Sequence, residues 1–437
     1  MINDGDAVLE SDSNKGGSPG LSFSLGQIWR QITSYNSLEV VGDNGTDGNP
    51  IIIMGYSYTN VKEAEEKMAQ QICLTYRFGF EPIPRSVNGP NPLTFLGSMV
   101  FSKNMLLNNG YRFHELMDKN NFTSDVGWGC MIRTSQSLLA NAFLRLLYFQ
   151  DDKRVIDLFQ DNTSSPFSLH NFIAIAGELP LKVQPGEWFG PNAASLSILR
   201  LCERYSNIPD LPKLKVLISE NGDLYDDQIL KLFTQDLLGL LILFPVRLGI
   251  EKINNYYHKS LLHFLSLKQS VGIAGGKPSS SFYFIGYHNH DLYYLDPHFC
   301  QNYLDNNIQY DTYHSHNYQT LNITNLDPSM MIGILLTDYS DYSNFQTQCN
   351  ENGNIIVHFH KCIKKNSKRR PSDFVNISEE DVRDDFVDIH YAKDEKTSED
   401  DEFVDLNQEL DEEVLVELPV DESYEAINHT PHTENES

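Results

Sequence analysis

The distribution of apolar and polar residues predicts helices in the first half of the chain and strands in the second. Residues 61–77 carry apolar side chains at helical spacing, which predicts an amphipathic helix. A longer helix is predicted over residues 131–149, and we expect it to be buried because it becomes apolar on all sides after Leu138. Two further helices are predicted at residues 192–206 and 226–233.

Runs of β-branched and aromatic residues predict strands later in the chain. These runs cover residues 239–248, 281–287, 291–295 and 330–336. Because helices come first and strands cluster late, the pattern favours an α+β fold with an antiparallel sheet over regularly alternating βαβ units.

Acidic residues are concentrated near the end of the chain. Residues 371–437 hold 24 acidic and 3 basic side chains, in a chain whose net charge is −27, so the remainder is close to neutral. Such a segment buries too little apolar surface to offset its ordering entropy. We therefore expect an acidic disordered tail at residues 364–437, a shorter disordered tail at residues 1–24 and a folded domain over residues 25–363.

Several classes of protein do not fit the composition. The chain contains no apolar run of about 20 residues, and its first residues lack a basic start and a hydrophobic stretch, so we expect neither secretion nor a membrane span. Its six cysteines form no CxxC pair, which suits a reducing compartment better than a disulfide framework or a zinc site. We expect a cytoplasmic protein that needs no metal or cofactor and binds no nucleic acid.

One of these cysteines, Cys130, stands where a glycine-containing loop gives way to a helix. It ends the run TSDVGWGC at residues 123–130. A helix N-terminus offers unpaired N–H groups and a partial positive charge, and both favour thiolate over thiol. Cys130 is thus a candidate nucleophile, although a buried structural cysteine is the alternative.

Partners for this thiol are present in the segment YLDPH at residues 294–298. In an extended segment, residues two apart face the same side, so Asp296 and His298 are expected to project together from the end of a strand. An ordinary Asp-Pro-His turn is the alternative. Combined with Cys130, however, the pair supplies the base and the orienting group that a cysteine nucleophile requires.

Four separated motifs resemble those of the autophagins, the autophagy-related protein 4 family of cysteine peptidases. They are SDVGWGCMIR at residues 124–133, GEWFGPN at 186–192, GGKPSSSFYFIGY at 275–287 and YLDPH at 294–298. The resemblance extends over residues 51–349, with an apparent insertion at 84–121 relative to shorter members of the family.

This resemblance implies a papain-like fold in which Cys130 is the nucleophile, His298 the general base and acid, and Asp296 the group that orients the imidazole. The order Cys, Asp, His differs from that of papain, but the chemistry depends on geometry rather than on order. The implied reaction proceeds through a thioester that water then hydrolyses.

Further residues acquire expected roles only through the resemblance. Tyr76 corresponds to a tyrosine whose hydroxyl stabilises the oxyanion, although it is also compatible with a core aromatic at the end of a helix. Trp188 corresponds to a tryptophan that covers the cysteine, although a packing role is the alternative. The glycine-rich residues 272–281, with Gly275 and Gly276, are expected to form a mobile loop beside it.

The family's substrate is a ubiquitin-like modifier, autophagy-related protein 8. The resemblance implies cleavage after a glycine near its C-terminus, both in the free precursor and in the phosphatidylethanolamine conjugate. It also implies peripheral contact with autophagosomal membranes and recruitment to pre-autophagosomal membranes, and a nuclear pool is left open. A non-catalytic modifier-binding scaffold and a papain-like acyltransferase remain as alternatives.

The acidic tail contains a candidate binding motif for this modifier. In EDDEFVDL at residues 399–406, Phe403 and Leu406 lie three apart behind four acidic residues. Such segments bind by adding an extended strand to a sheet, with two side chains in pockets. Motifs this short also arise by chance in acidic tails.

Overall fold

The computed structural model describes residues 48–95, 97–98, 118–147, 151–208, 211–235, 237–277, 280–303, 308–316 and 318–362. The predicted tails at residues 1–24 and 364–437 lie outside this part of the chain. So does most of the predicted insertion at residues 84–121. These assignments, and the limits of the folded domain, stay predictions.

Secondary structure is numbered here in chain order among the described residues. The helices are α1 Val61–Ala69, α2 Cys130–Leu146, α3 Asp152–Asp157, α4 Leu169–Ala176, α5 Pro191–Arg204, α6 Asp226–Leu232, α7 His258–Ser266 and α8 Tyr339–Asn352. The strands are β1 Ile51–Ile53, β2 Tyr56–Tyr58, β3 Arg77–Pro84, β4 Asn121–Ser124, β5 Leu214–Ile218, β6 Asp223–Tyr225, β7 Gly239–Arg247, β8 Ser270–Lys277, β9 Ser280–His288, β10 Asp291–Leu295, β11 Gln301–Asn302, β12 Gln319–Asn322, β13 Ser329–Leu336 and β14 His358–His360. Short 3₁₀ segments occur at Pro92–Phe95, Asn255–Tyr257, Tyr310–Tyr313 and Ile323–Asn325.

The largest sheet has the strand order β12-β10-β9-β8-β13-β7-β5, with β1 paired to β9 and β2 paired to β1. Its neighbouring strands run antiparallel, except that β5 is parallel to β7. The four strands predicted from the sequence are β7, β9, β10 and β13 of this sheet. The α+β fold with a mainly antiparallel sheet is therefore confirmed.

Helix α2 is buried along almost its whole length, from Cys130 to Leu144. It lies against β8 and β9, and its Leu138 side chain approaches Gly333 of β13 so closely that a Cβ at Gly333 would stand 3.0 Å from it. The predicted burial is confirmed, and it begins at the first residue of the helix rather than after Leu138.

The predicted helix at residues 61–77 is wrong beyond Ala69. In the segment after Ala69, backbone N–H groups bind side chains of α2 instead of continuing the helix. Asn141 Oδ1 accepts from Ile72 N at 3.0 Å, and Ser137 Oγ accepts from Leu74 N at 2.9 Å. From Arg77 onward the chain pairs in a sheet. The expectation that strands cluster late is also wrong for strands β1 to β4, which precede α2.

The mobile loop expected at residues 272–281 is wrong for its described residues, because Gly275 and Gly276 lie inside β8. Gly275 pairs with Phe282 and Gly276 with Ser281 of β9. Both glycines are buried, and a Cβ at Gly276 would stand 2.2 Å from Ser280 O. These glycines permit close strand approach rather than mobility. The turn at residues 278–279 lies outside the described residues.

A second, three-stranded sheet has the order β11-β3-β4. Strand β3 follows Tyr76, β4 leads toward Cys130, and β11 begins shortly after His298. This small sheet therefore gathers the candidate residues from three distant parts of the sequence. Within the described ranges, no helix is both long and apolar enough to cross a membrane.

Candidate active site

Cys130 is the first residue of α2, as the loop composition predicted. The preceding turn is closed by a hydrogen bond from Gly129 N to Asp125 O at 2.9 Å, and Gly127 adopts a left-handed φ of 90° that favours glycine. The N-cap position is Gly129, so no side chain caps the helix. The thiol residue is only 1% exposed, so the site is covered in this state.

Asp296 and His298 meet just beyond the end of β10. Asp296 Oδ1 lies 2.5 Å from His298 Nδ1 and also accepts from His298 N at 2.9 Å. These two contacts fix the ring and leave Nε2 available to other partners. The structure thus brings the two side chains together as the extended-segment argument predicted.

The pKa of His298 reflects opposing effects. Burial disfavours the imidazolium, but the Asp296 carboxylate, followed by the Cys130 thiol, outweighs it and raises the pKa to about 10. The thiol therefore lies close enough to the imidazole to affect its protonation. Nε2 also lies 3.1 Å from Ser280 Oγ, at the start of β9. The imidazole therefore has Asp296 at its Nδ1 side and lies close to Ser280 and Cys130 on its other side.

Tyr76 lies between the cysteine and the histidine. Its N donates to Pro297 O at 2.8 Å and its O accepts from Gln301 N at 2.9 Å, which ties it to the segment around His298. Burial is the largest effect that raises the pKa of its hydroxyl well above the usual value, and the neighbouring Cys130 adds to it. The ring meets the imidazole of His298 edge-on, with centroids 5.3 Å apart.

The remaining residues predicted for the site are Trp188, Gly275, Gly276, Phe403 and Leu406. Trp188 is 49% exposed in the turn directly before α5, so half of its surface faces solvent. Gly275 and Gly276 are the paired strand residues described above. Phe403 and Leu406 lie outside the described residues.

Sequence reasoning missed Phe95, which packs against the cluster that contains the thiol. That cluster consists of Tyr76, Phe78, Val126, Cys130 and Cys300. Phe95 ends a 3₁₀ segment in the predicted insertion, and a Cβ at Gly127 would stand 3.1 Å from its ring. No local pattern marked it, because its contacts depend on two loops distant in sequence.

The chemistry of the site rests on these protein groups. In the described part of the chain, no group of three or more His, Cys, Asp or Glu residues is placed to hold a metal ion. All six cysteines fall in that part and are free thiols, five of them buried. A covered thiol, an oriented imidazole and a buried hydroxyl are functional groups that can carry out acyl transfer through a cysteine.

Comparison with known proteins agrees with this chemistry. A family model described as the peptidase C54 catalytic domain matches residues 61–348. The chain is 49% identical over 408 residues to a probable cysteine protease ATG4 of Scheffersomyces stipitis, covering 88% of this chain and 78% of the relative. It is 47% identical over 382 residues to the cysteine protease ATG4 of Candida albicans, covering 84% of each.

A third relative, a probable cysteine protease ATG4 of Debaryomyces hansenii, is 45% identical over 434 residues, covering 90% of this chain and 88% of the relative. The family model and these relatives span the elements that carry Tyr76, Cys130, Asp296 and His298. The chain belongs to the peptidase C54 family of ATG4 cysteine proteases and is a cysteine-type peptidase of autophagy.

Proposed function

We propose that the chain cleaves the ubiquitin-like modifier of autophagy, autophagy-related protein 8, after its C-terminal glycine. Cys130 is the nucleophile, His298 the general base and acid, and Asp296 the residue that orients the imidazole. The observation that carries this proposal is the proximity of Cys130, Tyr76 and His298, with Asp296 hydrogen-bonded to the far side of the histidine: Tyr76 shares a buried cluster with Cys130, and its ring contacts the imidazole.

The reaction follows from this arrangement. The Cys130 thiol gives its proton to His298 as its sulfur attacks the glycine carbonyl carbon, and the carbonyl oxygen becomes an anion that accepts a hydrogen bond from the Tyr76 hydroxyl. His298 then gives its proton to the leaving amine as the C–N bond breaks and a thioester forms. In the second half His298 takes a proton from water, which attacks the thioester and releases the modifier with a free glycine carboxylate.

Entry to the site requires movement, because the thiol is almost fully covered. In this proposal Trp188 is the moving part of the substrate gate, and the paired strand residues Gly275 and Gly276 form its fixed part. The half-exposed indole offers an apolar surface, and glycine at the cleavage position is the residue that needs least space.

A cleavage assay tests the proposal. Purified chain is incubated with the modifier precursor, and intact-mass measurement identifies the product. We expect a product that ends at glycine, and we expect none from Cys130→Ser. Cys300→Ser is the matched control, because Cys300 is a buried thiol of the same cluster. Cleavage by Cys130→Ser, or none by the unaltered chain, would contradict the proposal.

The same chemistry applies to the lipid conjugate, since the leaving group is again an amine on the same glycine carbonyl. We therefore propose that the chain also releases the modifier from phosphatidylethanolamine. Vesicles that carry the conjugate supply the assay. Adding a free amine to the precursor assay distinguishes hydrolysis from transfer: a product joined to the amine would favour the acyltransferase alternative. Stable binding of the precursor without any product would favour the scaffold.

The acidic tail is proposed as a second contact with the modifier, through Phe403 and Leu406. The arrangement of two apolar residues behind four acidic ones supports strand addition to the modifier's sheet. Unchanged affinity after combined Phe403→Ala and Leu406→Ala substitution would remove this role. A charge-matched control replaces two other apolar residues of the same tail, Val414 and Val416, by Ala.

The location of the protein is proposed from its substrate. A peptidase that acts on both free and lipid-linked modifier has to work in the cytoplasm and make peripheral contact with autophagosomal membranes, and recruitment to pre-autophagosomal membranes follows from the same need. A fluorescent fusion of the full chain tests this. A fusion confined to another compartment after autophagy is induced would contradict it.

A further inference from the structure

A buried carboxylate, Asp125, links the strand that follows Tyr76 to the helix that begins at Cys130. Its Oδ1 accepts from Arg77 N at 2.7 Å, and its Oδ2 accepts from Arg133 Nε at 2.7 Å. Arg77 is the residue after Tyr76, and Arg133 lies about one turn into α2. The side chain of Asp125 is fully buried. One carboxylate therefore contacts both elements that carry the proposed oxyanion donor and the nucleophile.

The backbone of Asp125 makes the same connection. Its N donates to Arg77 O at 3.3 Å, while its O accepts from Gly129 N at 2.9 Å and so shapes the turn before Cys130. A Cβ at Gly129 would stand 2.5 Å from Asp125 Oδ2. The carboxylate thus lies directly against the residue that caps the helix, which explains why that residue carries no side chain.

Charge holds this carboxylate in place. The Arg133 guanidinium also binds Asp161, with Nη1–Oδ1 at 2.8 Å and Nη2–Oδ2 at 2.9 Å. Both carboxylates are fully buried or nearly so, and burial raises the pKa of Asp125 while Arg133 opposes that change. Buried charges of this kind are costly and weak evidence for stability, but a shared network fixes relative geometry.

Two further side chains of α2 hydrogen-bond with the backbone of the segment that leads to Tyr76. Ser137 Oγ accepts from Leu74 N at 2.9 Å, and Asn141 exchanges two hydrogen bonds with the Ile72 backbone, at 3.0 and 2.8 Å. Of these hydrogen bonds, the one between Asp125 and Arg77 is nearest to Tyr76 in sequence.

We propose that Asp125 is a positioning residue that sets the Tyr76 hydroxyl against Cys130. It touches neither substrate nor the reacting atoms, and it acts by joining β3 to the start of α2. The inference rests on the proposed function, in which Tyr76 stabilises the oxyanion. A role in folding alone would leave the effect of Asp125 independent of Tyr76.

Asp125→Asn is the informative substitution. The Arg77 N–H and the Arg133 Nε–H bind different oxygens of the carboxylate, and in an amide one of these positions is an NH2 donor that faces another donor, so one of the two hydrogen bonds is lost. Asp161→Asn is the matched control, because Asp161 carries the same charge and pairs with the same guanidinium through both of its oxygens. We expect kcat to fall about tenfold in Asp125→Asn with little change in KM, as for a misplaced transition-state contact, and to stay within about threefold of normal in Asp161→Asn.

A double-mutant cycle with Tyr76→Phe separates positioning from folding. If Asp125 acts through the tyrosine hydroxyl, Asp125→Asn lowers kcat in the normal background and has no further effect in the Tyr76→Phe background. Equal losses in both backgrounds would overturn the proposal. Alkylation of Cys130 by iodoacetamide gives the same cycle without the modifier, because Tyr76 packs in the same buried cluster as the thiol. We expect Asp125→Asn to change that rate only when Tyr76 is present.

The two readouts keep the proposals distinguishable. Failure of the unaltered chain to cleave the modifier, together with a non-additive alkylation cycle, would overturn the substrate and retain the positioning role. Cleavage with additive cycles would do the reverse. If Asp125→Asn does not fold by circular dichroism, Ser137→Ala enters the same cycle, since it removes one hydrogen bond two residues before Tyr76. Additive losses for Ser137→Ala would then overturn the coupling between α2 and Tyr76.

Discussion

Replacing Asp296 by Asn tests how this carboxylate controls the protonation of His298. The substitution keeps the shape of the side chain and one carbonyl oxygen that can accept from Nδ1, where Asp296 Oδ1 now lies 2.5 Å away. It removes the negative charge that favours the imidazolium. The position of the ring is therefore retained while its pKa falls.

The size and sign of the change follow from the opposing effects at His298. Burial lowers the pKa and Asp296 leads the groups that raise it from 6.5 to about 10. Loss of an adjacent opposite charge lowers a pKa by about one to three units, so we expect the alkaline limb of activity to move from near pH 10 to between about pH 7 and 9. Because the pKa is raised on folding, protonated His298 stabilises the native state fully below pH 6.5 and loses this effect as pH rises through about 10.

Two measurements check this expectation. Values of kcat/KM from about pH 6 to 11 locate the alkaline limb, and scanning calorimetry over the same range gives Tm. The Tm difference between the unaltered chain and Asp296→Asn should be largest near pH 6.5 and small above about pH 10. Asp226→Asn, which removes a carboxylate bonded to the Tyr342 hydroxyl at 2.7 Å, is the control and should not move the limb. An alkaline limb that stays in place in Asp296→Asn would refute the reasoning.

Three further substitutions probe other parts of the site. Tyr76→Phe should lower kcat about 10²-fold with KM nearly unchanged, because it removes one oxyanion donor, and a loss under about threefold would contradict that role. Trp188→Ala should relax the preference for glycine at the cleavage position or slow turnover, as measured with precursors altered at that glycine, whereas unchanged kinetics on both counts would argue against a gate. Phe95→Ala should speed the alkylation of Cys130, because Phe95 packs against the cluster that covers a 1% exposed thiol. An unchanged alkylation rate would show that Phe95 does not limit access.

Local sequence signals were sufficient where the chemistry and the structure are set by neighbours in the chain. The glycine-rich turn before Cys130 predicted the start of α2, and the Asp-Pro-His segment predicted the contact between Asp296 and His298. Four strands of the largest sheet, β7, β9, β10 and β13, were predicted for the same reason, since each is largely an apolar run.

Elements set by distant contacts were not predicted. The segment before Tyr76 continues the apolar pattern of α1, yet its backbone is bonded to Ser137 and Asn141 of α2 and is no longer helical. Gly275 and Gly276 resembled a flexible loop because glycine composition alone does not reveal a partner strand. The buried link through Asp125 did leave a signal, since charged residues within an otherwise buried motif indicate paired charges.

The most direct measurement of the central claim identifies which thiol carries the acyl group. A modifier whose C-terminal glycine bears an electrophilic group is incubated with the full chain, and the adduct is located by peptide mass mapping across the six cysteines. The account predicts one adduct, on Cys130. In the Asp296→Asn and His298→Ala variants the adduct should form more slowly, in proportion to the fall in their cleavage rates. An adduct on another cysteine, or cleavage of the precursor with Cys130 unmodified, would contradict the account.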